Sequence, residues 1–174
     1  DFQGRLNLKE IAEKFDSLGR TLENMLVDFD IADDDVLQKS EITDDGYMCI
    51  GSAKYKNIII PDGAFIPEAT QKALNKFIEC GGRVLHELSN LTPVIKADGT
   101  GLRAIKRKVE NGDLLILFRE TGENGDYCIH LPSENGYLLD LTNGKLQHIE
   151  TENGVLKLSL NIGETAVILL TDEA

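Results

Sequence analysis

Apolar residues recur at three-then-four spacing from Leu8 through Ile11, Ala12, Phe15, Leu18, Leu22, Met25 and Leu26 to Phe29. That spacing predicts a long amphipathic helix with its stripe in a core and Asn7 as its N-cap. Gly19 falls mid-pattern and costs about 1 kcal/mol relative to alanine, so a break or a close contact is expected there. Val27, Phe29 and Ile31 then alternate with Asp28 and Asp30, the pattern of a short strand. Asp33, Asp34 and Asp35 open a helical turn through Val36 and Leu37, where acids complement the positive helix end. Residues 41–43 and 47–50, joined through Asp44-Asp45-Gly46, read as a strand pair.

The stretch 55–85 carries the clearest grammar. Lys56-Asn-Ile-Ile-Ile-Pro61 is a β-branched run with the composition of a strand buried on both faces. Pro67 suits the first turn of a helix because its missing N–H is not needed there, and Glu68 follows it. Ala73, Leu74, Phe77 and Ile78 form a core stripe, while Gln71, Lys72, Asn75, Lys76 and Glu79 face water. Gly81-Gly82 stops the helix, since glycine takes the left-handed cap without strain. Residues 83–87 resume as a strand, and strand–helix–strand with short joints predicts a right-handed crossover and a parallel sheet.

After Glu87 the punctuation changes. Residues 89–101 are rich in Pro, Gly, Asn, Asp and Thr and are expected to form a boundary loop. Beyond it stand five Asn-Gly pairs, at 111–112, 124–125, 135–136, 143–144 and 153–154, each the signal of a type I′ hairpin turn. Strand-like runs lie at 102–109, 114–118, 127–131, 137–141, 146–149, 155–160 and 165–170. In the sixth, Leu156, Leu158 and Leu160 alternate with Val155, Lys157 and Ser159, the period of a half-buried antiparallel strand. The predicted class is α/β plus all-β. A parallel-sheet α/β domain at 1–95 is followed by a small antiparallel β-sandwich or barrel at 102–174.

Composition narrows the function classes. The chain has 174 residues and 41% hydrophobic content, enough for a real core. A formal charge of −12 argues against nucleic acid and anionic membrane surfaces, both of which need clustered Lys and Arg. No apolar run approaches the roughly 20 residues that span a bilayer, and the first residues lack a basic-plus-apolar leader pattern. The sequence does not fix the compartment: a cytoplasmic setting is favoured, and an extracytoplasmic one stays open should a signal segment lie upstream. Cys49, Cys80 and Cys128 are widely spaced, fit neither a disulfide framework nor a metal knuckle, and read as buried free thiols.

Candidate chemistry is sparse. An EF-hand loop begun at Asp28 would need glycine where Asp33 stands and glutamate where Lys39 stands, so the acidic cluster reads as a solvated helix start. None of the three cysteines sits on the strand-to-helix elbow that an amidotransferase nucleophile requires. No glycine-rich loop follows a strand, so no nucleotide cofactor, and no other cofactor or metal, is expected. His130 and His148 alternate with apolar neighbours and read as surface positions, and Asn90-Leu91-Thr92 is a glycosylation sequon by pattern. One cluster remains. His86 and Glu87 fall at the carboxyl end of one parallel strand and Asp62 just past the other, where open α/β sheets bind ligands.

Several features together resemble a known family. They are the strand–Pro–helix–Gly-Gly–strand order over 55–85, Leu139-Asp140 with Gly144, Leu156-Lys157-Leu158, and Gly163-Glu164-Thr165 before the last strand. This succession is similar to the C-terminal region of large multidomain glycoside hydrolases of the α-L-rhamnosidase and β-galactosidase groups. The resemblance implies a flavodoxin- or glutamine-amidotransferase-like α/β domain behind an upstream catalytic barrel, with a β-sandwich closing the chain. The barrel would carry the paired carboxylates, and no catalytic residue transfers onto this sequence. The implied role is accessory: buttressing the catalytic domain, mediating homo-oligomerisation, or touching glycan. The absence of Trp disfavours tight sugar stacking. Asp1–Arg5 is too short and polar to supply the first strand of such an α/β domain, so an open edge and dimerisation are expected. The alternative is an independent ligand-binding or enzymatic domain using Asp62, His86 and Glu87.

Overall fold

The computed structural model describes residues 2–132 and 135–171. Their elements run α1 (Phe2–Asn24), α2 (Asp34–Lys39), β1 (Glu41–Ile42), β2 (Met48–Ile50), β3 (Ala53–Tyr55), β4 (Asn57–Ile59), α3 (Glu68–Glu79) and β5 (Arg83–Leu85). The chain continues with β6 (Lys96–Asp98), β7 (Leu102–Val109), β8 (Gly112–Arg119), β9 (Asp126–His130), β10 (Gly136–Leu139), β11 (Leu146–His148), β12 (Val155–Ser159) and β13 (Thr165–Thr171). This is a mixed α/β, β-rich fold whose sheets are mostly antiparallel. It divides into two compact units, Asp1–Gly19 with Phe29–Asn90, and Arg20–Asp28 with Leu91–Ala174, so α1 contributes to both. Among the described residues no helix is long and apolar enough to cross a membrane.

In the first unit β1, β2 and β3 form an antiparallel meander, and β4 pairs with β5 in parallel with Ile58 opposite Val84. The crossover between them is α3. Pro67 occupies its N-cap position, and it ends in a Schellman turn: Gly81 N–H donates to the Ile78 carbonyl and Gly82 N–H to that of Phe77. Gly81 takes φ +93°, the conformation that needs no Cβ. The meander's turn fits against this helix end so closely that a Cβ on Gly46 would stand 2.5 Å from the Gly81 carbonyl carbon. Leu74, Phe77 and Met48 are buried here. Thr70 is buried as well; its hydroxyl donates to Asp34 at 2.6 Å and accepts from Gln38 at 2.9 Å, tying α2 to α3. Asp33 caps α2, its side chain accepting from Val36 N–H.

Several expectations for this half are corrected. Asn7 lies inside α1, which begins at Phe2, so it is no cap. The stripe predicted to be core is uncovered at its start: Leu8 is 69% exposed and Phe15 44%. Residues 27–31 form no strand, because the helix ends in a left-handed residue, Leu26 at φ +54°, whose carbonyl accepts from Val94 N–H at 2.7 Å. Ile78, placed in the α3 core stripe, is half-exposed. β4 is half-buried instead of covered on both faces, since a two-stranded sheet makes both strands edges. All three cysteines are free thiols, half-buried and not fully buried.

The second unit holds two antiparallel sheets, one ordered β11-β10-β13-β8-β7 and one ordered β12-β9-β6. β6 falls inside the stretch expected to be a loop. One core cluster draws on both sheets: Leu102, Ala104, Leu115, Leu117, Ala166 and Ile168 from the first, Tyr127 and Ile129 from the second. Each leucine and isoleucine among them contributes about 1.5–3 kcal/mol relative to leaving it in water. Of the five Asn-Gly pairs, Asn153-Gly154 alone has both residues at positive φ, +54° and +75°, and closes a tight turn between Glu152 and Val155. Asn143-Gly144 has one left-handed residue, the glycine. At Asn111-Gly112 the turn falls one residue earlier, because Val109 already pairs with Gly112. There the glycine serves a close approach: a Cβ on it would lie 1.9 Å from the Leu170 carbonyl oxygen.

Candidate functional site

Parallel pairing sets the geometry of the predicted cluster. Ile59 faces Leu85 across the ladder, and Ile60 N–H donates to the Leu85 carbonyl at 3.3 Å, the last rung of the pair. His86 and Glu87 follow directly. Asp62 stands in a tight turn from Pro61 to Ala64, with Gly63 at φ +83° and Ala64 N–H donating back to the Pro61 carbonyl, a type II arrangement. The fold thus brings all three residues to the carboxyl end of the same parallel pair. All three are exposed, and among the described residues none forms a hydrogen bond or ion pair. No group of His, Cys, Asp and Glu among the described residues is arranged to hold a metal.

A second place, which sequence reasoning missed, lies in the second unit. An open groove of about 240 Å³ runs between edge strands β11 and β12. Its floor is Leu138, Ile149, Leu156 and Leu158, and its rim is Gln147, His148, Glu150 and Lys157. The His148 ring meets Tyr137 edge-to-face, centroids 5.4 Å apart. Among the described residues lining the groove the one aromatic ring is that imidazole, and no Phe, Tyr or Trp face stands there for a sugar to stack on. Its signal in the sequence is faint, because it depends on which strands end up at sheet edges.

A buried cation was missed too. Arg119 is 8% exposed, and its guanidinium donates to the carbonyls of Leu160 at 2.8 Å and Gly122 at 2.7 Å, and more loosely to Thr121 at 3.4 Å. No acid faces it in these bonds. It acts as a clamp joining the loop after β8 to the end of β12, and a Cβ on Gly125 would come within 2.4 Å of it. The alternation Leu115, Leu117, Arg119 is the signal that points it inward.

No family model matches the chain, and no curated protein sequence matches it. Solved structures do, and the likeness is to part of a larger enzyme. That enzyme is a rhamnosidase from Novosphingobium sp. PP1Y, similar with a TM-score of 0.58 and 14% sequence identity over 79% of this chain. The chain spans 19% of the length of that enzyme. At this identity the likeness is one of fold.

Proposed function

We propose that this chain is a non-catalytic accessory region of a carbohydrate-degrading glycoside hydrolase. In this reading residues 1–95 are an incomplete flavodoxin-like layer and residues 102–174 a β-sandwich. Together they support a catalytic domain of the same protein. The observation that carries the reading is the asymmetry of the structural likeness, 79% of this chain against 19% of a rhamnosidase. The exposure of Asp62, His86 and Glu87 to solvent agrees with it. The test is to offer the purified chain a panel of nitrophenyl glycosides, α-L-rhamnoside and β-galactoside among them. No release above buffer is expected. In the protein its gene encodes, deleting this region should lower the yield of folded enzyme while leaving kcat per active site unchanged. Turnover by the chain alone that His86→Ala abolishes would overturn the proposal and put the chemistry at the strand-end cluster.

A further inference from the structure

We infer that the outer face of the five-stranded sheet, turned away from the core cluster, is a surface on which a second copy of this chain packs. The register fixes which residues share that face. Leu115, Leu117 and Ile168 point into the core, so their strand neighbours point away, and the cross-strand pairs Ile105–Ile116 and Ile116–Val167 align on the outer side. Leu139 opposite Val167, and Leu146 opposite Leu139, extend the same face to the far edge. An antiparallel sheet with one side on a core ordinarily turns polar residues to water on the other. This one turns Ile105, Ile116, Phe118, Leu139 and Leu146 outward around Val167, which is itself only 8% exposed. Ile105 remains 40% exposed, Phe118 37% and Leu146 53%, and a contiguous apolar patch of this kind marks an interface.

Charge and area favour a second copy as the occupant. The charged strand residues of this face are Arg103 and Arg107, both on edge strand β7. Each is already paired within the chain, Arg103 with Glu120 and Glu23, Arg107 with Asp28. A second copy therefore brings no unpaired charge to the contact, and the net charge of −12 sits elsewhere on the chain. Five strands about 4.8 Å apart and averaging about 20 Å long give each face a footprint of roughly 500 Å². Two such faces bury roughly the 1,000 Å² that separates a specific interface from an incidental one. A two-fold axis makes the contact self-complementary, and stacked sheets pack about 10 Å apart at about −30°. This surface belongs to the second unit and is a sheet face, not the open edge expected of a missing first strand, and it stands whether or not the glycosidase reading does.

Sedimentation equilibrium of the 174-residue chain over nanomolar to high-micromolar concentrations tests the inference. A reversible monomer–dimer equilibrium is expected, starting from the 19.2 kDa monomer. Phe118→Glu with Ile105→Glu should raise the dissociation constant at least about 100-fold, with an unchanged circular dichroism spectrum. Leu146→Glu applies the same test at the opposite edge of the sheet and guards against misfolding of the double variant. A 19.2 kDa species at every concentration overturns the inference and leaves the face to another domain or another protein. So does a dimer that the folded variants form as tightly as the parent.

Discussion

Among the described residues the first unit buries three apolar side chains out of reach of water, Met48, Leu74 and Phe77. The second buries a continuous cluster that runs from Leu26 and Ile95 through the centres of β7, β8, β9 and β13 to Leu170. The contrast is one of architecture. A two-stranded parallel pair crossed by one twelve-residue helix has one buried stripe to offer, and its strands are both edges. Two sheets sharing a core let every second residue of each central strand add apolar burial. Close glycine fits occur in both units, in the first at Gly46 against the end of α3 and at Gly82 against the Phe77 ring, where a Cβ would lie 2.3 Å away. Such fits specify a geometry, but they contribute less than apolar burial does. The region that bears the strand-end cluster is therefore the region least able to hold it rigid.

The largest effect that would break this comparison is expected at Phe77. Phe77→Ala removes the largest fully buried apolar side chain of the first unit and should cost about 3–5 kcal/mol. With so little other burial there, the helical signal of α3 should be lost while the β signal of the second unit persists to its own melting temperature. Simultaneous loss of both would mean that the two units do not differ in the way described. Arg119→Met is the sharper probe of the second unit. It leaves the carbonyls of Leu160 and Gly122 without a donor and should cost about 2–4 kcal/mol. The dense core should absorb that loss, so the variant should melt lower but remain folded at room temperature, as calorimetry would report.

The smallest effect concerns pH. The Asp140 carboxyl is held below its ordinary value of 3.8 chiefly by the Thr142 hydroxyl, then by Thr142 N–H and the Asn143 amide. A depressed folded pKa stabilises the loop above pH 3.8 and loses that contribution as pH falls through the folded pKa. The Gly144 amide, which donates to the Asp140 carbonyl at 2.8 Å, should show a lower protection factor, its exchange rate taken relative to the intrinsic rate at each pH, below that pH. Asp140→Asn should remove the pH dependence without unfolding either sheet.

Much of the local structure was legible because it follows from short-range chemistry. Pro67 and Gly81 bracket α3, Asp33 caps α2, Asp44-Asp45-Gly46 turns the first hairpin, and all seven apolar runs after residue 101 are strands. What escaped depends on partners distant in sequence. The stripe of α1 predicts a buried face, yet nothing in the spacing says whether enough chain exists to cover Leu8 and Phe15. Thr70 is buried because α2 supplies Asp34 and Gln38, which the helical period of α3 cannot announce. Arg119 faces inward by strand alternation, against the ordinary preference of a charge for water. The Asn-Gly pairs overstate their signal, since at Gly112, Gly125 and Gly136 the glycine lies where another group approaches closely. The candidate cluster was legible only as a place at the end of two strands. Whether a pocket forms there depends on side chains that neither periodicity nor propensity positions.

Amide hydrogen exchange on the unmodified chain tests the central contrast most directly. The account predicts that amides of β8 and β13, such as those of Leu117 and Ile168, exchange only through global opening of the second unit. Amides of α3 and β5, such as those of Leu74 and Val84, should exchange at least about 100-fold faster through separate opening of the first. Equal protection across the two sets, or greater protection at Leu74 and Val84, would contradict it.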